Sequence, residues 1–479
     1  MAKVTVIGAG FAGHTAALYL GDALGESHEV TVINLHEYFY YIPSWVWVGI
    51  GRMGVDKTRF LLAPVYKKKG IRFVHGKAIA VHPDKDDQYV VVEQKADGTK
   101  VKVHYDYLLI ATGPKLNYDG TKGLGPKHGF VQSICTAPHA EASRDVYLEQ
   151  VARMQRGERV KMVIGTGHPG ATCQGAAFEY ISNIHKDLVR RHVRDKADLH
   201  WLSNERAAGD FGVRGVQTRY RGQMLSSKEF IEAAFAEYGI SYEVQRGVHE
   251  VNKDTLFWEN FEGKYGESKY DFSMLIPQFK GVEMDFVGSD QQDVSTKIVN
   301  QAGFVIVDGI YGQPYDVMAK NPKSWPGLYQ NPNYENIFAA GIAFAPPGPI
   351  SQPHVTPNGT SISAAPPRTG MVSGIIGRIV AKNIIDLIKH GKMTHSERMT
   401  EMAAACIASM GDSLWDGQAA TITVYPVVPN HERYNNPSGR DMFVTHMEMG
   451  LAGAWMKRMI HSTFMYKLRA YPGWKVIPE

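Results

Sequence analysis

Val4-Thr5-Val6-Ile7-Gly8-Ala9-Gly10-Phe11-Ala12-Gly13-His14-Thr15-Ala16-Ala17 is the stretch whose reading decides the fold. A β-branched run, a glycine turn and then small residues predict a strand over Val4–Ile7, a helix through Leu24 and a second strand over Val30–Ile33. The glycines of the turn Gly8-Ala9-Gly10-Phe11-Ala12-Gly13 have separate duties: a tight turn, close approach of backbone to a pyrophosphate, and close packing of the helix. The helix N-terminus then faces the phosphates, so the chain begins with a dinucleotide-binding βαβ unit. The position about 20 residues on, where an acid usually grips the ribose, holds Asn34, which can still hydrogen-bond a hydroxyl.

Two later segments belong with this unit. Tyr105-Asp106-Tyr107-Leu108-Leu109-Ile110-Ala111-Thr112-Gly113 reads as a buried parallel strand ending in a small polar turn, and Asn336-Ile337-Phe338-Ala339-Ala340-Gly341 reads as another. In this order and spacing the three segments resemble the FAD domain of the two-dinucleotide-binding-domain flavoproteins. The resemblance implies FAD as cofactor, held at Gly8, Gly10, Ala12, Gly13, Asn34, Thr112 and Gly113, with the last strand bringing backbone at Gly341 and Ile342 to the ribityl chain and flavin. Many members carry Asp directly after the last glycine, where this chain has Ile342.

A second βα unit starts at Val160–Ile164, continues through Gly165-Thr166-Gly167-His168-Pro169-Gly170-Ala171-Thr172-Cys173 and a helix to about Arg191, and meets a further strand at Leu199–Leu202 with Glu205 just beyond. An NAD site is the ordinary reading of such a turn. Pro169 inside the loop and Cys173 in the predicted first helical turn argue against it, because nicotinamide chemistry gains nothing from a thiol there.

The chain has 479 residues, which predicts about three domains or one large composite enzyme. A net charge of +4 is too small a surplus in a chain of this size to suggest nucleic acid. Three cysteines, an odd number in a large chain, argue against a disulfide framework and for individually useful thiols. No metal site is read. The first residues lack the apolar stretch of a signal peptide, and no segment has the uninterrupted 18 or so apolar residues that span a bilayer.

Specific strings surround each cysteine: Ser133-Ile134-Cys135-Thr136 with His139 beyond it, Gly170-Ala171-Thr172-Cys173-Gln174-Gly175-Ala176-Ala177-Phe178-Glu179-Tyr180, and Ala405-Cys406-Ile407-Ala408-Ser409-Met410-Gly411-Asp412. With Pro366-Pro367-Arg368-Thr369-Gly370 and Gly113-Pro114-Lys115-Leu116, nearly the whole chain resembles the sulfide:quinone oxidoreductases. Oxidising sulfide to zero-valent sulfur needs an electrophilic sulfur to attack, a place for the growing polysulfide and an adjacent two-electron acceptor. The resemblance implies that Cys173 and Cys406 are the redox pair at the flavin, that Cys135 lies by the flavin edge, that Glu179 transfers protons and that His139 stands near the sulfide site. Cys173 at a helix N-terminus would also gain from the dipole as thiolate. Glu179 lies six positions after Cys173, about 600° around an ideal helix, so the two do not share a face. It would act across the pocket or through water, or else sit on the helix surface. A second family histidine is replaced by Asp210 in Gly209-Asp210-Phe211-Gly212, and Arg368 stands where the family has Lys, keeping a cation near the flavin. The stretch from Pro346 to Ala365 is longer than the family pattern and is expected to reshape the sulfide or quinone entrance.

From about Met393 the composition turns to Met, aromatic and basic residues. Leu451, Trp455, Met459, Ile460, Phe464 and Leu468 fall near helical spacing beside Lys457, Arg458, Lys467 and Arg469. This fits an in-plane amphipathic helix whose cations reach headgroups, or a packing helix. Ile460 and Phe464 are the candidates for lining a quinone channel, and the aromatic run Tyr38 to Trp45 is expected to pack near the cofactor.

The expected architecture is therefore α/β: an FAD domain in two parts (1–120 and 295–392), a second Rossmann-like domain carrying a redox cysteine (121–294), and a C-terminal redox-cysteine and membrane segment (393–479). The expected partners are sulfide, membrane quinone and the lipid bilayer surface, on a peripheral monotopic protein for which homo-oligomerisation stays open. Three other readings stay open: the flavoprotein subunit of a flavocytochrome c sulfide dehydrogenase, a type II NADH dehydrogenase, which lacks a redox cysteine pair, and a non-catalytic flavin-binding protein.

Overall fold

The computed structural model describes residues 1–85, 87–220, 222–367 and 369–479. Five parallel strands form the first sheet, in spatial order Ile337–Ala339, Tyr107–Ile110, Lys3–Ile7, Glu29–Asn34 and Arg72–His82. Ile7 stands level with Ile33 on one side and Ile110 on the other. The central strands are apolar and buried on both faces, because helices and loops cover them. Past His75 the longest strand changes partner and pairs antiparallel with Tyr89–Gln94, which in turn pairs with Lys100–His104.

Between Ile110 and Ile337 the chain leaves this sheet and builds another. Ile240–Glu243, Ala197–Leu202, Val160–Thr166 and Phe272–Ile276 lie in that order, all parallel. The helix Gln174–Arg190 follows the second glycine turn, as the sequence predicts.

The helices Phe11–Leu24 and Gly370–His390 run against each other. A side chain on Gly377 would begin 2.2 Å from the Ala12 carbonyl oxygen, so glycine is what permits this approach. It brings the N-termini of both helices to the C-terminal edge of the first sheet.

The last part of the chain forms an antiparallel sheet of Ala404–Met410, Gln418–Val424 and His446–Gly450, followed by the helix Leu451–Leu468. This helix packs on the first two of those strands, and the Gln174–Arg190 helix packs on Ala404–Met410. The tail is tied to the first domain. His14 Nε2 lies 2.6 Å from the Leu468 carbonyl oxygen and its Nδ1 lies 2.8 Å from the Tyr66 hydroxyl. Burial holds His14 down at about 4, so the ring stays neutral. The Lys467 ammonium meets Glu479 at 2.9 Å, both side chains fully enclosed.

Here the structure corrects the expectation of a helix whose cations reach headgroups for its two lysines, while Arg458 stays exposed. Lys457 and Lys467 are buried, and each neutralises a carboxylate: Lys457 meets Glu179, far away in the sequence, and Lys467 meets Glu479 in the segment that follows the helix. Trp455, Met456, Met459 and Tyr466 are exposed instead, while Leu468 is core. No helix among the described residues is long and apolar enough to cross a membrane.

Candidate active site

The first glycine turn is shaped to receive an anion. Gly8 is in the left-handed region at φ 100°, and a side chain there would begin 2.3 Å from the Ala111 carbonyl oxygen. Nothing comes within 4 Å of the side-chain position of Gly10, which opens the helix start to an incoming group. No side chain caps that helix, so its first amides are left to a ligand. Ala12 and Gly13 lie in the buried first turn, and a side chain on Gly341, at φ 68°, would begin 3.0 Å from the Ala12 methyl. Gly113 is also left-handed, beside Thr112. A second helix start faces the same space. Thr369 at the cap of Gly370–His390 has a buried hydroxyl that makes no hydrogen bond among the described residues, and the Phe11 ring covers Gly370. Two helix N-termini and an unsatisfied hydroxyl fit a cofactor with a pyrophosphate and a polar ring system, as FAD has. Arg368, expected near the flavin, lies outside the described residues.

Asn34 has partners within the chain itself. Its Oδ1 accepts from the Ala9 amide at 2.9 Å and its Nδ2 donates to the His36 carbonyl at 2.7 Å, so the side chain braces the turn.

Cys173 is not in the first helical turn but caps the helix, at φ 62° and ψ 34°. A left-handed backbone at a non-glycine residue carries strain and is held by its surroundings. The holding contacts are visible: Thr172 Oγ1 donates to the Ala365 carbonyl at 3.1 Å, and the Ala365 amide donates to the Ala171 carbonyl at 3.1 Å. Cys406 lies on the strand Ala404–Met410, its sulfur 4.0 Å from where a side chain on Gly175 would begin. The packing of the Gln174–Arg190 helix against the Cys406 strand thus brings Cys406 to the first turn of the helix that Cys173 caps. Both are half-buried. Burial pushes the Cys406 thiol up to about 11, with the Glu179 carboxylate adding to the rise and Lys457 opposing it.

Glu179 is buried, which rules out a helix-surface role. It faces the Cys406 strand, accepting from the Ser409 amide at 3.0 Å and the Ser409 hydroxyl at 2.5 Å, and it pairs with the Lys457 ammonium at 2.9 Å. Sequence reasoning missed Lys457. The available signal was Gly453 and Ala454, small buried residues one turn earlier, which mark that face of the helix as closely packed.

Cys135 and His139 form a separate cluster. The Ser133 hydroxyl oxygen accepts from the Cys135 amide at 3.1 Å and from the Tyr118 hydroxyl at 2.7 Å, and the Tyr118 oxygen lies 3.3 Å from His139 Nδ1. Burial raises the Cys135 thiol to about 11 and lowers the His139 imidazole. Among the described residues no hydrogen bond joins this cluster to Glu179 or Cys406.

The second glycine turn is filled by the chain itself. The Ser363 amide donates to the Pro169 carbonyl at 3.0 Å, and Asn204 Nδ2 donates to Pro169 and Ala171 at 2.9 and 3.1 Å. Glu205, placed where a ribose-binding acid would stand, is fully buried and accepts from Ser203 Oγ and the Phe211 amide at 2.7 Å each. The long stretch from Pro346 to Ala365 therefore runs along the turn that precedes Cys173. Asp210 helps to anchor it: it is buried, accepts from the Ser351 hydroxyl, and is raised by burial.

Residues 2–309 match the family described as pyridine nucleotide-disulphide oxidoreductase. The chain belongs to this family. It is 29% identical over 470 residues to a sulfide-quinone reductase of Aquifex aeolicus (strain VF5), spanning 98% of this chain and 92% of that one. It is 25% identical over 345 residues to a mitochondrial sulfide:quinone oxidoreductase of Dictyostelium discoideum, spanning 71% and 64%. The X-ray structure of the sulfide:quinone oxidoreductase from Aquifex aeolicus superposes with a TM-score of 0.77 at 28% identity, covering 98% of this chain and 92% of that one.

In this pyridine nucleotide-disulphide oxidoreductase the tail helix also borders the cofactor cradle. Phe464 packs on Tyr41 with ring centroids 6.3 Å apart, and Tyr41 packs on Phe11 of the first glycine turn at 5.7 Å. His461 joins them, with Nδ1 2.8 Å from Ser44 Oγ and its ring 5.2 Å from Tyr41. Ile460 beside it is half-buried. On the outer side Trp455 Nε1 donates to the Leu414 carbonyl at 2.8 Å, and Leu414, Trp415, Trp455, Met456 and Met459 are all exposed.

Proposed function

We propose that this chain is an FAD-dependent sulfide:quinone oxidoreductase, with the overall balance HS⁻ + quinone + H⁺ → zero-valent sulfur + quinol. The observation that carries the reading is the Cys406 sulfur set over the first turn of the helix that Cys173 caps. Hydrosulfide attacks one sulfur of the oxidised pair: a new S–S bond forms, the bond between the cysteines breaks, and the other sulfur leaves as thiolate. FAD, when bound, supplies the two-electron carrier between sulfur and quinone. Glu179, beside Cys406, exchanges the protons of the thiol, and Cys135 and His139 border the sulfide side through Ser133 and Tyr118. Ile460 and Phe464, reaching the cradle through Tyr41, line the quinone side. The exposed Trp415 and Trp455 patch rests on the lipid surface, where quinones dissolve.

A type II NADH dehydrogenase reading is disfavoured by the second glycine turn, whose carbonyls and acid are taken up by the chain's own Ser363, Asn204 and Phe211. Anaerobic titration of the purified yellow protein decides between them. Sulfide is expected to bleach the flavin band and NADH to leave it unchanged; fast bleaching by NADH with none by sulfide would reverse the assignment.

A further inference from the structure

Lys457 belongs to the tail helix, yet its ammonium is as enclosed as the carboxylate it meets, with both side chains 7% exposed. Its donors reach Glu179 Oε1 at 2.9 Å, Glu179 Oε2 at 3.2 Å and the Ile407 carbonyl at 2.9 Å, and the ammonium lies 5.9 Å from the centre of the Trp47 ring. Ile407 directly follows Cys406, and Ser409, two residues on, holds Glu179 through its amide and hydroxyl. Ammonium and carboxylate together therefore clamp the backbone that carries the redox cysteine. A buried ion pair adds little net stability over a well-packed apolar pair, so stability alone does not account for charges at this spot.

We infer that Lys457 is a positioning residue of the cysteine centre: by neutralising Glu179 and holding the Ile407 carbonyl, it sets how readily the Cys406 thiol gives up its proton. The inference deepens the sulfide:quinone reading and rests on it for its biological meaning. Two charged groups among the described residues act on the Cys406 thiol. Glu179 comes from the Gln174–Arg190 helix and disfavours the thiolate; Lys457 comes from the tail helix and favours it. Cys173 comes from the second glycine turn. One shell out, Tyr41 feels the Glu179 charge and His461 feels the Lys457 charge. Removing the ammonium leaves a lone buried carboxylate beside the thiol, and both its charge and the burial then oppose ionisation.

The test is peptide-resolved alkylation of Cys406 by iodoacetamide as a function of pH, on the reduced FAD-loaded protein. Lys457→Met is expected to slow alkylation of Cys406 at pH 8 by about tenfold, the effect of one unit in the thiol pKa. Lys457→Arg is expected to stay near the wild-type rate, and the double variant Lys457→Met with Glu179→Gln to return towards it, because both charges are then gone. Glu179→Gln alone is expected to speed alkylation, and it reads the same coupling should Lys457→Met fail to fold. A wild-type rate in Lys457→Met, a double variant as slow as the single one, or no acceleration in Glu179→Gln would overturn the inference. Alkylation needs neither sulfide nor quinone, so a protein inert to sulfide but showing these shifts would sink the functional reading and leave the positioning role standing.

Discussion

The Cys406 sulfur stands 4.0 Å from the point where a side chain on Gly175 would begin, so the absence of a side chain there leaves room beside the sulfur. Gly175→Ala fits within ordinary contact. Gly175→Val drives a branched chain at the sulfur, and overpacking of this kind costs about 1–3 kcal/mol. Sulfide-dependent bleaching in the valine variant is expected to fall by about tenfold or more with FAD content unchanged. Cys173→Ser and Cys406→Ser are each expected to lose nearly all turnover while staying yellow. Stopped-flow absorbance on the four variants checks this, and a serine variant that kept most of its activity would dissolve the pair.

Cys173 occupies a left-handed backbone that glycine adopts freely. Relief of that strain is of order 1 kcal/mol, offset in part by the greater freedom of glycine in the unfolded chain. Cys173→Gly is therefore expected to melt above Cys173→Ser while being equally inactive. Differential scanning calorimetry on the two proteins gives the answer; a glycine variant melting well below the serine one would show that the cap is not strained.

Burial pushes the Glu205 carboxyl up to about 8, with Asp210 adding to the rise. The folded protein therefore holds a proton that the unfolded chain releases near 4.5. The stability this confers is complete below the unfolded value and is lost as pH rises through about 8. Glu205→Gln lacks that titration. The melting temperature of the wild type relative to the glutamine variant is expected to fall between pH 5 and pH 8.5, and a constant difference across that range would contradict the buried protonated acid.

Trp415 is 89% exposed and Trp455 51% exposed. Burying one such side chain in an apolar medium is worth about 1.5–3 kcal/mol, so Trp415→Ser with Trp455→Ser is expected to lower co-sedimentation with lipid vesicles at least tenfold. Bleaching of the flavin by sulfide should be unchanged. Deleting the whole tail is a poorer test, because it uncovers His14 and removes Lys457 from Glu179. Unaltered vesicle binding in the double variant would place the lipid contact elsewhere.

Most of the nucleotide architecture was legible because glycine turns after apolar strands have few physical uses, and the strands at Lys3–Ile7, Tyr107–Ile110 and Ile337–Ala339 lie side by side as their order in the sequence suggested. Helix geometry alone placed Glu179 away from the Cys173 face, and the structure turns it onto the Cys406 strand. What stayed hidden depends on contacts between distant parts of the chain. A lysine in an amphipathic stripe is ordinarily solvated, and nothing local told that Lys457 would find Glu179. The left-handed turn at Cys173 is imposed by Ala365 and has no signature of its own. Asn34 could be read as a hydrogen-bonding residue, but its partner Ala9 emerges only once the turn has formed.

The segment that closes the second glycine turn does so partly through main-chain bonds, from the Ser363 and Ala365 amides to the Pro169 and Ala171 carbonyls. Main-chain contacts survive most side-chain changes, so the closure of this turn is written into the path of the backbone. Point substitutions can weaken the Asn204 or Glu205 contacts without reopening the turn; only shortening the loop would do that. In design terms, the closure is a property of loop length and path more than of residue identity, which makes the loop the part to shorten if the turn is to be emptied.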